Sequence, residues 1–341
     1  MSETSDYFRP IVQVGPARPA GAIGLAGGWG WFTHLEVLAR GRMPKVIPLT
    51  QAPADVLDIL TTTRSDIGGL AMSRPRAMGI LNATPDSFSD GGLHASAQDA
   101  ITAGLAMRDA GVDLLDVGGE STRPGAETVT ADAEIGRVVP VISGLRAAGV
   151  ETLISVDTRK ANVAAAALDA GAGLINDVSG FTYDDGLAGL AASYAVPVCV
   201  MHALGDPATM QNNPQYDDVL LDVYDFLSAQ VAFLEQVGVA RDRIIVDPGI
   251  GFGKTLEHNL TLLARLSLFH GIGVPVLLGA SRKRFIGTIS QTEAAHTRLA
   301  GSLGVALAAL SHGVQILRVH DVAETIQAIA LWQAAMAGRQ I

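Results

Sequence analysis

With one cysteine in 341 residues, Cys199, no internal disulfide can form. The residue sits in the apolar run Val196-Pro197-Val198-Cys199-Val200, which suits a small core side chain in a reducing compartment. Positive charge is scarce: 24 Lys and Arg stand against 34 Asp and Glu, a formal net charge of -10. That balance excludes a general nucleic-acid or anionic-membrane surface, because both partners select a basic face. Any phosphate must therefore be gripped locally. No uninterrupted apolar run approaches the roughly 18 residues of a membrane span. The N-terminus MSETSDYFRP is acidic where a secretory signal would be basic, so a cytoplasmic location is expected. What the chain does have is 48% apolar residues, enough to bury a large core.

From residue 77 onward one rhythm repeats: a short apolar, β-branched run, a polar loop, then an alanine-rich segment with helical spacing. The runs are 77–82, 113–118, 152–157, 174–178, 197–202, 244–247, 274–280 and 316–320. Helical spacing is read at 96–110, 130–148, 160–170, 216–237, 257–269, 293–311 and 321–337, with Ser96 and Asp99 as a capping pair and Gly111 as the stop. Strands that are apolar throughout belong to parallel sheets covered on both faces. Eight such units predict a (β/α)8 TIM barrel with an N-terminal extension, ahead of an open doubly wound sheet. Residues 1–70 lack the rhythm and read as the extension, packing on the barrel at its closed end. Residues 71–341 form the barrel. The aromatic group Trp29-Gly30-Trp31-Phe32 reads as packing or as a partner surface.

A barrel places its chemistry at the C-terminal ends of its strands, and polar residues do cluster there. Asp157, Asn176, Asp177 and Asp247 are expected to converge on one mouth. Carboxylates and an amide gathered in a partly dry pocket suit a planar heterocycle with several N–H donors, since an ionised carboxylate takes two parallel bonds. A metal cluster is the alternative, although the dense spacing of a calcium loop is missing. A cationic group, Arg123, Arg282, Lys283, Arg284, Arg318 and His320, predicts an anion site, mostly on the loops after strands seven and eight. Arg318 lies between Leu317 and Val319, where an unpaired charge would be costly. Lys283 as a Schiff-base nucleophile is disfavoured, because nearby carboxylates favour its charged form. The first loop, NATPDSFSDGG, and the second, GGESTRPGAET, are long and rich in turn formers, as mobile lids are.

Residues 247–255 read DPGIGFGKT. A phosphate loop ending at Gly253-Lys254-Thr255 would open on residue 248, which is Pro248 and has no N–H to offer. The three alternating glycines thus serve a tight turn, and Lys254-Thr255 starts the next helix.

Taken in order, MGILNATPDSFSDGG, GGESTRPGA, SVDT, INDVSG, the VMH that ends strand five, DPGIGFGK, GASRKRF and RVHD resemble the dihydropteroate synthase family over about residues 77–335. The resemblance implies the barrel fold and a condensation of 6-hydroxymethyl-7,8-dihydropterin pyrophosphate with para-aminobenzoate. It implies that Asp157, Asn176, Asp247 and Lys283 bind the pterin ring. Arg318, His320 and Arg123, with Asn82 and its magnesium ion (Mg2+), would hold the pyrophosphate. Thr122, Arg123, Pro124, Phe252 and Ser281 would shape the para-aminobenzoate side, where sulfonamide analogues should compete, and Asp90 would come from the closing first loop. Small-molecule substrates and a homodimer are the partners it implies. Ala83, Phe181 and the 202–207 loop depart from the family's usual residues without removing any of these groups. A corrinoid-type pterin-dependent methyltransferase domain and an inactive pterin-binding paralogue are the alternatives.

Overall fold

The computed structural model describes residues 6–83, 92–121, 128–205 and 210–340, with backbone alone at 92–96. Strands β1 (Tyr7–Pro10), β2 (Ile23–Gly24), β3 (Trp31–Phe32), β4 (His34–Leu38) and β5 (Lys45–Pro48) and helix α1 (Ala54–Thr61) come first. Eight further strands follow: β6 (Arg76–Asn82), β7 (Leu114–Gly118), β8 (Leu153–Asp157), β9 (Leu174–Asp177), β10 (Val198–Met201), β11 (Ile244–Asp247), β12 (Leu277–Leu278) and β13 (Ile316–Val319). They form one parallel sheet in the order β11-β10-β9-β8-β7-β6-β13-β12. A parallel bridge between Val246 and Val276, with the Val246 N–H donating to the Pro275 carbonyl at 3.0 Å, closes the ring. The expected barrel is therefore the fold, and the open sheet is excluded. Strand seven is shorter than its apolar run, because Pro275 cannot donate to the ladder.

The covering helices are α2 (Gly92–Asp109), α3 (Ala131–Ala147), α4 (Ala161–Asp169), α5 (Asp185–Tyr194), α6 (Val219–Val237), α7 (Leu256–Ala264), α8 (Arg284–Ser290), α9 (Leu299–Ser311) and α10 (Val322–Ala337). Two of these, α5 and α8, are absent from the reading of the periodicity. Helix α5 carries two glycines, and α8 has only seven residues, too short for a pattern. Asp184 caps α5 through the Gly186 N–H at 2.9 Å, and Leu187, Ala188 and Ala191 form its buried face. Helix α2 starts at Gly92, four residues before Ser96, so the Ser96-Asp99 pair does not open it. Among the described residues no helix is long and apolar enough to cross a membrane.

Side chains alternate along a strand, so every second residue faces the barrel axis. The lower layer is Met78, Leu114, Leu174, Cys199, Ile245, Leu277 and Ile316, and Ile67 and Met72 from the preceding segment fill that end. Above it the inward positions turn polar. The extension reaches further than the closed end. Its β1-β4-β5 sheet lies on the flank, against the turn 266–272, with Tyr7 edge-on to Tyr224 of α6 at 5.5 Å. Arg64 donates to the His270 carbonyl at 2.8 Å, and the Trp29 indole N–H donates to the Leu310 carbonyl at 2.8 Å. Trp31 and Phe32 are buried and Trp29 meets the Trp332 ring, so this aromatic group packs against the barrel.

Candidate active site

On β13, Arg318 projects into the barrel between two strands that each supply a carboxylate. Its Nε donates to Asp116 Oδ2 at 2.6 Å and its Nη2 to Asp157 Oδ2 at 2.6 Å. Asn176 Nδ2 also donates to Asp116 Oδ2, at 3.1 Å, which turns the Asn176 amide oxygen away from Asp116. The buried strand charge therefore has its counter-charges inside the same barrel. Burial raises Asp157 to about 7, opposed by Arg318 and reinforced by Asp116, Glu134 and Asp177. Burial likewise raises Asp247, against Lys283 and the Gly249 N–H. Burial works to lower Arg318, yet Asp116 and Asp157 outweigh it and hold the guanidinium protonated.

The loop after β11 explains the three glycines. Gly249, Gly251 and Gly253 have φ of 66°, 84° and 59°, the left-handed region that other residues avoid. A side chain at Gly249 would put Cβ 1.9 Å from the His202 carbonyl oxygen. The Gly249 N–H donates to Asp247 Oδ1 at 2.7 Å, and so fixes the carboxylate facing the mouth. Thr255 caps α7 in a reciprocal box with His258, as a helix start should. Lys254, read from sequence as part of that start, is instead wholly buried.

From the loop after β12, Lys283 reaches across to the same turn. Its Nζ donates to the Ile250 carbonyl and lies 4.1 Å from the centre of the Phe252 ring. Burial pulls Lys283 down to about 7; Asp247 and Asp157 pull the other way, and Arg318 adds to the fall. The sequence argument had the carboxylates keeping this amine charged, and desolvation proves the stronger effect. Ser281 Oγ accepts from the His320 backbone N–H at 3.2 Å and lies 3.0 Å from its Nδ1, which joins the last two loops.

Not every expected member converges. Asp177 faces outward, because it neighbours the inward Asn176 on β9, and its carboxylate accepts from the Ser179 and Phe181 N–H groups at 2.7 Å each. Arg282 is paired with Asp321, and Arg284 is exposed, so among the described residues the expected basic side chains left at the mouth are Lys283, Arg318 and His320. Asp90, Thr122, Arg123 and Pro124 lie outside the described residues. Asn82 ends β6, half-buried.

Two residues escaped the sequence reading. Asp116 lies two positions inside β7 and is 0% exposed, with Oδ1 lacking a hydrogen bond among the described residues. A lone charge within Leu114-Leu115-Asp116-Val117 was the available signal, the same one that marks Arg318. Arg159 follows β8, bonds Glu120 at 3.2 Å and stacks on Tyr183 at 3.9 Å. With Val178, Ser179, Ala203 and Phe252 it lines a cavity of about 200 Å³ beside the β11 loop. A larger hollow of about 330 Å³, between 14–16 and α10, holds none of the strand-end residues.

The mouth thus offers acceptors and the Arg318 cation deep in the barrel, Lys283 and His320 nearer its rim and an aromatic wall. Such a chamber can orient a planar, N–H-rich ring and stabilise negative charge leaving it. Among the described residues no three His, Cys, Asp or Glu side chains form a metal cage.

A family model described as pterin binding enzyme matches residues 78–320. The chain is 45% identical over 271 residues to dihydropteroate synthase of Escherichia coli (strain K12), covering 80% of this chain and 95% of that one. Xanthomonas albilineans dihydropteroate synthase with 4-aminobenzoic acid superposes with a TM-score of 0.75 at 46% identity, covering 80% of this chain and 98% of that one. The enzyme of the same organism in complex with 7,8-dihydropteroate gives a TM-score of 0.72 at 43% identity, over 80% and 99% of the two chains. The chain belongs to the dihydropteroate synthases, transferases of folate biosynthesis among the pterin-binding enzymes.

Proposed function

We propose that the barrel mouth condenses 6-hydroxymethyl-7,8-dihydropterin pyrophosphate with para-aminobenzoate, and that pyrophosphate leaves before the amine attacks. The observation that carries this reading is the Arg318 cation fixed between Asp116 and Asp157 at the floor, with Lys283 set above it. The solved relatives that hold 4-aminobenzoic acid and 7,8-dihydropteroate support that substrate and that product here.

Asp157, Asp247 and the amide oxygen of Asn176 accept the N–H groups of the pterin ring, and Lys283 donates to its ring acceptors. Arg318 and His320 face the pyrophosphate, joined by Arg123. Phe252, Ser281, Thr122, Arg123 and Pro124 form the amine side, and Asp90 enters with the first loop. Asn82 suits the magnesium ion expected with a pyrophosphate substrate. Its amide makes no hydrogen bond among the described residues, and Mg2+ takes one or two protein oxygens together with phosphate oxygens and water. When bound, the ion would neutralise leaving-group charge.

As the methylene C–O bond breaks, its electron pair passes to the pyrophosphate oxygen, where Arg318 and His320 meet the charge. Removing one such donor costs about 10²–10³ in rate in comparable sites. The cationic pterin methylene then accepts the lone pair of the aryl amine, and the new C–N bond forms. The resulting aryl ammonium is acidic enough to give its proton to water, so no base is required. Residues 1–70 act as an extension on the catalytic barrel of 71–341, and the chain works as a cytoplasmic homodimer.

The order of events is tested with substrate carrying heavy oxygen in the ester bridge, magnesium, and unreactive benzoate in place of the amine. Recovered substrate should show the label moved into the non-bridging positions of the adjoining phosphate. Label that stays in the bridge, in enzyme that turns over with the amine, contradicts departure first.

A further inference from the structure

Lys254 is 3% exposed. Its Nζ lies 3.0 Å from the Phe252 carbonyl, 3.3 Å from the His202 carbonyl and 2.9 Å from His202 Nδ1. Burial pushes Lys254 well below the ordinary lysine value, yet its N–H groups still have partners: the two carbonyls accept, and His202 Nδ1 is the third neighbour. Starting α7 needs no such residue, because Thr255 already caps it. A buried amine is costly unless fully paired, so this one is kept for what it joins.

What it joins is two loops. Phe252 belongs to the turn after β11, and His202 opens the segment after β10. Gln211, from that segment, donates to the Gly251 carbonyl at 2.5 Å, and the Tyr216 hydroxyl donates to the Gly253 carbonyl at 2.8 Å. Lys283 takes the Ile250 carbonyl, and the Phe252 N–H takes that of Gly249 at 3.2 Å. Each of the five consecutive carbonyls from Gly249 to Gly253 therefore has its own donor. A left-handed glycine turn has no helix or sheet ladder to hold it, so these donors set its shape.

We propose that Lys254 is a positioning residue for the aryl amine: it clamps the Phe252 carbonyl to the His202 segment and so holds the Phe252 ring in register. This rests on the reading of Phe252 as the amine wall. The pterin groups are held separately, Asp157 by Arg318, Asp247 by the Gly249 N–H and Lys283 by the Ile250 carbonyl, so losing the clamp loosens the amine side first.

The test compares Lys254→Met and Phe252→Ala in the full-length enzyme. For Lys254→Met the KM for para-aminobenzoate should rise roughly tenfold, the effect of losing about one well-made hydrogen bond, while kcat and the pterin Kd stay within about twofold. A general packing defect would move all three together. If Phe252→Ala raises the amine KM and folded Lys254→Met does not, the positioning role is overturned. If neither variant changes it, the amine wall itself is wrong and the inference falls with it. Should Lys254→Met not fold, Tyr216→Phe removes only the hydroxyl on the Gly253 carbonyl. An unchanged amine KM in that folded variant also overturns the clamp.

Discussion

Arg318 Nη2 and Asp157 Oδ2 meet at 2.6 Å across the barrel, while Asp116 takes Nε of the same guanidinium at the same distance. This ties three strands together in a nearly dry interior. Arg318→Met would leave Asp116 and Asp157 facing each other with no cation. Breaking a buried pair from one side costs about 3–5 kcal/mol, so urea unfolding should show a loss of that size. The double variant Arg318→Met with Asp116→Asn should recover part of it, since one uncompensated charge goes as well.

Lys283 gives the site a pH dependence with a definite sign. In the free enzyme it titrates near 7, so it is an ammonium below that pH and a neutral amine above it. The anionic pterin pyrophosphate prefers the ammonium. Its affinity should fall as pH rises from 6 to 8.5, by at most about tenfold per unit, since one proton is involved. Lys283→Arg stays charged throughout and should lose that part of the slope. Calorimetric titration of both proteins across this range checks it.

The glycines of the β11 turn should separate stability from binding. Gly249→Ala puts Cβ against the His202 backbone and forces a left-handed alanine, which alone costs about 1–3 kcal/mol. Thermal unfolding should show the loss. At Gly251 the nearest atom is the flexible Lys283 Cδ at 3.0 Å, so Gly251→Ala should disturb pterin binding beyond what its backbone cost explains.

How far the sequence could be read depended on whether a residue's fate is local. Strand β11 was legible residue by residue, because Ile244-Ile245-Val246 is apolar throughout and Asp247 ends it. Asp157, Asn176, Asp247 and Lys283 follow from such ends, and they do lie together around the mouth. Asp116 sits inside β7 and not at its end, so the strand-end rule passes over it, although an aspartate inside a buried strand demands a partner as Arg318 does. Asp177 was misplaced by ignoring the two-residue period, which sends neighbours to opposite faces. The fate of Arg282 is set by Asp321, 39 residues away, and that of Lys254 by His202, 52 away; neither distance is written locally. Desolvation of Lys283 was out of reach for the same reason.

The extension should act on stability and not on the chemistry. Phe32 is fully buried among Leu25, Leu35, Val37 and Leu60. Phe32→Ala should cost about 3–5 kcal/mol in denaturant unfolding while the pterin Kd of the folded protein is unchanged. A large change in that Kd would instead place the extension in the working site.

The most direct test is a single turnover balance. Purified protein with magnesium, dihydropterin pyrophosphate and para-aminobenzoate should form 7,8-dihydropteroate and release pyrophosphate in equal amounts, and Lys283→Ala, still folded, should lose most of that activity together with pterin affinity. If no dihydropteroate forms, or if Lys283→Ala makes it as fast and binds pterin as tightly, the barrel mouth does not work as described.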